Sequence, residues 1–286
     1  MLRMIITFFK YISAPTPEFG KIMATESVSV VNATSIPTEY IGQKECLIVC
    51  DTYDSYITLS KAHMAILFAA SEDNRQELSL FADECPHYVV EDYLEAPADY
   101  YIKIYERFVG IPWDIMSTAR CNVREMCPSD IDDMYELYDD KSVCRFMEDL
   151  FDNRDDELKY INDYIKNIYD YYGFGTWNIY RSSDGRLIGR AGFNYRPDFD
   201  SPELGFMIGA KYQHEGYAYE VCHALMELAR TELGFDKIYA LVHPDNHASL
   251  KLLDKLGFIP DSERPCVEIT QEGRGSELLS VFSVEI

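Results

Sequence analysis

The stretch Tyr212-Gln213-His214-Glu215-Gly216-Tyr217-Ala218-Tyr219 joins an apolar run, Glu203 to Ile208, to a segment that carries Val221, Leu225 and Leu228 on one helical face. A small-residue turn at a helix N-terminus leaves backbone N–H groups unpaired and lets an anion come close, so residues 214–219 form a candidate phosphate cradle. Taken alone, Gln-x-x-Gly-x-Ala equally fits any strand–turn–helix in which glycine supplies a positive φ. Downstream, Lys237 to His243 reads as another strand, and Asn246-His247-Ala248-Ser249 opens a capped helix that closes on Leu256-Gly257-Phe258.

Together the two segments resemble the Gcn5-related N-acetyltransferase (GNAT) superfamily. Its pyrophosphate loop reads Gln/Arg-x-x-Gly-x-Gly/Ala, and its later helix reads Asn-x-x-Ser near the start and Leu-Gly-Phe at the end. The resemblance runs from about Thr118 to the C-terminus, is nearest to the branch that includes the ribosomal-protein-alanine acetyltransferases, and leaves the N-terminal two-fifths outside. It implies an α/β (α+β) fold with a mixed, mostly antiparallel, splayed sheet flanked by helices. It also implies transfer of an acetyl group from acetyl-CoA to a primary amine by direct attack, with no acyl-enzyme cysteine.

By the same resemblance, the backbone of Phe206, Met207 and Ile208 binds the pantetheine arm, and one N–H near Met207 or Ile208 serves the oxyanion. Gln213, His214, Glu215, Gly216, Tyr217, Ala218 and Tyr219 wrap the pyrophosphate, and Asn246 bonds the pantetheine. Ser249 either assists or caps its helix. The chain departs from the family pattern in several places. Gln213 stands where Arg is frequent, His214 and Glu215 replace a commonly basic pair, and Ala218 replaces a second glycine. Leu241 occupies the place of an occasional second carboxylate, and Leu253 that of a frequent general-acid tyrosine.

An amine must be neutral to attack a thioester, and at pH 7 neutralising a lysine-like amine costs about 4.6 kcal/mol, an α-amino group about 1. Glu203, at the start of the splayed strand, is the candidate general base; the alternative is a solvated strand-end carboxylate. A CoA thiolate, with a pKa near the ~8.5 of free thiols, can leave unprotonated. Tyr169, Tyr171, Tyr172, Phe174 and Trp177 either hold a cationic acceptor by π contacts or bury their rings. The rival reading, a non-catalytic acyl-CoA-binding sensor or interaction module, follows from Leu241, Leu253 and the weakly basic loop.

A formal charge of -23 argues against nucleic acid as a partner and makes cationic amines, small molecules or peptides, the natural visitors. Eight cysteines without a Cys-x-x-Cys pair point to a reducing cytoplasm, and the scattered histidines to no metal. The apolar run Met4 to Phe9 is too short to span a membrane and reads as no export signal; a homodimer stays open.

Three segments must position this chemistry. Residues 1–42 are left without an assigned fold, because Pro15-Thr16-Pro17 breaks any helix. Residues 43–115 read as a small Rossmann-like or haloacid-dehalogenase-like α/β domain, with strands at 46–50, 64–70 and 88–91 and helices at 55–63 and 98–109. Asp51 and Asp54 lack Asp-x-Asp spacing and are read as turn or capping residues. Residues 116–286 form the acetyltransferase domain, in the order β-α-α-β-β-β-α-β-α-β. It includes a capping box on Ser129 and Asp132, a helix at 155–172, a hairpin on Asp184-Gly185, and last strands at 266–270 and 278–284.

Overall fold

The computed structural model describes residues 1–81, 85–271 and 275–286. The chain divides into two units, Met1–Trp113 and Asp114–Ile286.

In the first unit, strands β1 (Met4–Phe8), β2 (Ser29–Asn32), β3 (Cys46–Cys50), β4 (Ala65–Ala69) and β5 (Val89–Val90) form one sheet in the order β2-β1-β3-β4-β5. Every pairing is parallel. Helices α1 (Pro17–Thr25), α2 (Tyr53–Ser60), α3 (Arg75–Ser79) and α4 (Ala98–Val109) accompany it. Each residue of β3 and β4 is buried, as in sheets covered on both faces. Phe19, Met23, Tyr101 and Ile104 pack with Leu47 and Val49, whereas Tyr56, Leu59 and Phe81 pack with Ile48 and Cys50. Alternation along β3 thus serves two cores.

The boundary expected at residue 42 does not exist, because β1 pairs with both β2 and β3. Pro15-Thr16-Pro17 starts a helix instead of breaking one. Thr16 Oγ1 accepts the Phe19 N–H at 3.2 Å, and Pro17 occupies the first turn, where its missing N–H costs nothing.

The second unit begins two residues before the expected boundary at 116, because β6 (Asp114–Ser117) pairs antiparallel with β7 (Cys121–Arg124). Helices α5 (Ile131–Leu137), α6 (Arg154–Tyr164) and α7 (Asp170–Tyr172) follow, the last two joined by the π turn Ile165–Tyr169. Then come β8 (Thr176–Arg181), β9 (Leu187–Asn194), β10 (Glu203–Ile208), α8 (Tyr217–Leu228), β11 (Lys237–Val242), α9 (His247–Lys255), β12 (Ile259–Pro260), β13 (Cys266–Gln271) and β14 (Gly275–Glu285). Sheet order is β12-β14-β11-β10-β9-β8-β7-β6, with β13 on β14, and among the described residues of this sheet only β10 and β11 run parallel. The capping box lies two residues earlier than expected: Asp130, not Asp132, accepts the Cys127 N–H at 2.9 Å and ties down Arg124 at 2.6 Å.

Gly192, inside β9, sits where a Cβ would lie 2.0 Å from the Gly175 carbonyl oxygen and 2.8 Å from Thr176 Cα. Both obstacles are backbone, so no rotamer change relieves them. Gly192→Ala is expected to destabilise this unit by roughly 1–3 kcal/mol, read as a lowered unfolding midpoint; an unchanged midpoint would show that β8 and β9 separate without cost.

Candidate functional site

The sheet opens between β10 and β11. Glu203 pairs with Tyr239, whose N–H donates to the Pro202 carbonyl at 2.9 Å, and no further ladder pair follows. On its other edge β10 stays paired with β9 from Glu203 to Ile208. Backbone groups alternate along a strand, so Leu204, Phe206 and Ile208 share the edge of Pro202 and face the gap. The Ile208 carbonyl is taken by Gln213 Nε2 at 2.9 Å, which leaves the N–H and C=O of Phe206 and the N–H of Ile208 directed into the opening. Met207 turns its backbone to Arg190 on β9. Of the three residues expected to hold the pantetheine, Phe206 and Ile208 therefore face the gap, and of Met207 and Ile208 only Ile208 directs its N–H into it.

From the end of β10 the chain runs through a short turn, Ala210–Tyr212, into the anion loop. His214 has φ 64° and Gly216 φ 87°, a left-handed pair that curls the loop onto α8. The Gly216 carbonyl accepts from the Glu220 N–H at 3.1 Å, so the N–H groups of Tyr217, Ala218 and Tyr219 have no acceptor within the helix. They add to the positive end of the α8 dipole.

Arg120, which the sequence analysis missed, holds this loop. Its Nη1 donates to the Glu215 carbonyl at 3.1 Å, its Nε to Glu220 at 2.7 Å, and its guanidinium stacks 4.4 Å from the Tyr217 ring centre. Glu220 also accepts from Thr118 Oγ1 at 2.6 Å and the Arg120 N–H at 2.8 Å. Partial burial pushes its pKa up, but the bonds from Thr118 and Arg120 outweigh that and hold it below the usual carboxylate value. An open depression of ≈ 710 Å³ beside the loop is lined by Arg120, Gly216, Tyr219, Glu220, His223 and Lys255. No local pattern marks Arg120, because its partner Glu220 lies 100 residues away.

Glu203 is 7% exposed, with Arg196 Nε 2.5 Å from its carboxylate. Burial raises its pKa, the Arg196 charge opposes this, and burial prevails. The alternative of a solvated strand-end carboxylate is thereby overturned. Pair alternation puts Asn194 and Arg190 of β9 on the same sheet face as Glu203. Arg190 has no carboxylate partner among the described residues; its Nη1 is 3.4 Å from the Tyr138 hydroxyl and its Nη2 3.5 Å from Met126 Sδ. Its Nε and the Oδ1 of Asn178, its cross-strand neighbour, are buried without a protein partner.

Asn246 caps α9, its Oδ1 accepting the Ser249 N–H at 3.2 Å, so its amide nitrogen is the group left for a ligand. The expected aromatic cluster divides. Tyr169 and Trp177 are core residues at 1% exposure, Tyr169 donating to the Thr176 carbonyl, whereas Tyr171 is 78% exposed and Tyr172 stacks on Tyr195 at 5.5 Å. Leu253 is fully buried and Leu241 packs by Phe199, Tyr239 and Val281.

A splayed β10/β11 pair thus leads into a helix N-terminus with open N–H groups. Residues 120–259 match the acetyltransferase (GNAT) domain family. The uncharacterized N-acetyltransferase p20 of Bacillus licheniformis is 29% identical over 150 residues, 51% of this chain and 82% of that protein. YjdG of Bacillus subtilis (strain 168), also an uncharacterized N-acetyltransferase, is 33% identical over 88 residues; the match covers 30% of this chain and about half, 52%, of that relative. A solved structure of RimL, the ribosomal L7/L12 alpha-N-protein acetyltransferase, superposes with a TM-score of 0.52 at 14% identity, over 61% of this chain and 95% of RimL, a likeness of fold. The C-terminal unit thus carries an acetyltransferase (GNAT) domain over residues 120–259.

Because Arg120 holds the loop through a carbonyl and a stacked ring, Arg120→Ala should weaken CoA binding about fivefold, or about 1 kcal/mol for a half-exposed charged bond. Isothermal titration with CoA measures it, and an unchanged Kd would remove Arg120 from the site.

Proposed function

We propose that the protein is an N-acetyltransferase that passes the acetyl group of acetyl-CoA directly to a primary amine of a small molecule or peptide. The reading is carried by one continuity: the unpaired backbone groups of Phe206 and Ile208 lead along the chain into the free N–H groups of Tyr217, Ala218 and Tyr219. A long ligand with amide groups in its arm and a diphosphate at its middle fits that order. Acetyl-CoA would supply the thioester carbonyl as electrophile.

The residues divide the remaining work. The open N–H of Ile208 donates to the carbonyl oxygen, where negative charge develops, and costs no reorganisation because β9 fixes the strand. The backbone from His214 to Tyr219 takes the diphosphate; Arg120 and Lys255 add the positive charge that the loop's own side chains lack. Asn246 bonds the arm through its free amide nitrogen. Glu203 accepts the amine proton, directly or through water, and its raised pKa brings it nearer to neutral pH, where a general base is most effective. The leaving thiolate needs no acid, consistent with the apolar, buried Leu253.

We place the activity in the cytoplasm, since the cysteines among the described residues are free. No helix of the described residues is long and apolar enough to cross a membrane. The acidic balance of -23 favours cationic acceptors over nucleic acid. A second reading, an acyl-CoA-binding sensor, draws on Leu241 and Leu253, which put apolar groups where a second base and an acid would act.

Release of CoA thiol across a panel of peptides, polyamines and aminoglycosides tests the proposal. Stabilisation of the fold by acetyl-CoA without transfer to any amine would select the sensor instead. With an accepted amine, Glu203→Gln should lower kcat/KM about 10²- to 10⁴-fold while leaving acetyl-CoA affinity in place. The protonated carboxyl cannot act as base, so the wild-type rate rises as pH climbs through the Glu203 pKa, above the ordinary glutamate value. The variant loses that limb, and a persistent limb would assign it to another group.

A further inference from the structure

The order β2-β1-β3-β4-β5 reverses direction between β1 and β3, and doubly wound sheets take ligands in the crevice outside the carboxyl ends of the strands at such a reversal. In this chain the crevice gathers successive backbone donors just past β1. The N–H of Lys10 lies 2.8 and 3.0 Å from the two carboxylate oxygens of Asp51, and the N–H groups of Tyr11 and Ile12 lie 2.6 and 2.9 Å from Oδ2. Asp51 directly follows β3 and is wholly buried. Convergent N–H groups of this kind form an anion-binding nest.

The surroundings keep the carboxylate in place. The buried Asn74 donates from Nδ2 to the Asp51 carbonyl at 3.0 Å and to the Ala69 carbonyl at 2.8 Å, tying the ends of β3 and β4 together. At the adjacent start of α2, the Tyr53 N–H donates to Glu77 Oε2 at 2.8 Å. Carboxylates of the chain itself thus take the donors past β1 and the first N–H of α2.

We propose that Asp51 is a built-in ligand, a carboxylate that permanently occupies the oxyanion seat at the β1/β3 reversal. A tethered anion has already lost its translational freedom, so a free phosphate or phosphate ester cannot compete for the seat. The wild-type unit therefore takes no phosphate-bearing ligand at this crevice. Asp51, with both oxygens engaged, is no nucleophile or phosphoacceptor. Removing its side chain uncovers a site for a tetrahedral oxyanion.

The test uses the full chain and inorganic phosphate, against chloride at matched ionic strength. Asp51→Ala should lower the unfolding midpoint of the N-terminal unit and regain part of the loss in a saturable phosphate titration, while wild type shows no saturable response. Saturable phosphate stabilisation of wild type, or a folded Asp51→Ala that phosphate leaves unchanged, overturns the inference. Should the variant not fold, amide exchange in wild type decides: Lys10, Tyr11 and Ile12 must be protected as strand amides are, and exchange at free-loop rates refutes the occupied seat.

Discussion

The parting of β10 from β11 after the Glu203–Tyr239 pair is the constraint on which the C-terminal unit depends. A strand interior that faces no partner leaves peptide groups that water or a ligand must satisfy, because burying them unpaired costs more than a hydrogen bond returns. The other edge of β10 is fully paired, so the strand cannot shift to heal the opening. Gln213 closes its far end by taking the Ile208 carbonyl, and so couples the gap to the anion loop.

Both units use the same physics for opposite ends. In each, consecutive backbone N–H groups collect at a turn and make a seat for negative charge. Asp51 fills the seat in the N-terminal unit. At α8 the donors of Tyr217, Ala218 and Tyr219 have no acceptor within the helix, and the nearby carboxylate, Glu220, is drawn aside by Thr118 and Arg120. One nest is thereby sealed by a carboxylate of the chain, and the other is left without one. That difference rests on where a single acidic side chain is tied.

A chain with 49 acidic and 26 basic residues must place its cations with care if it is to hold a polyphosphate. Arg120 and Lys255 stand beside the loop, and Arg120 also braces the loop's shape through the Glu215 carbonyl. Arg196 has a different task, since it lies against the buried Glu203 and limits the rise of its pKa without cancelling it. Arg190, with the Tyr138 hydroxyl and the Met126 thioether beside its guanidinium, has no carboxylate partner among the described residues.

Much was legible in the sequence where local chemistry decides. The strand into the Gln213 to Tyr219 turn, the Asn246 cap and the Asp184-Gly185 hairpin each depend on neighbours within a few residues, so spacing and residue type sufficed. Where pairing partners are distant, sequence was silent or misleading. Pro15-Thr16-Pro17 looked like a break, but is a helix start once Met4–Phe8 lies in the middle of a parallel sheet. The edge strand Asp114–Ser117 is short and only partly buried, so no periodicity announced it. Tertiary structure alone decided that Phe206 and Ile208, not Met207, face the gap; that Arg120 braces a loop 95 residues away; and that Asp51 closes the nest formed 39 to 41 residues before it. Residue type sets what a group can donate, accept or fill, but register and long-range pairing set which group it meets.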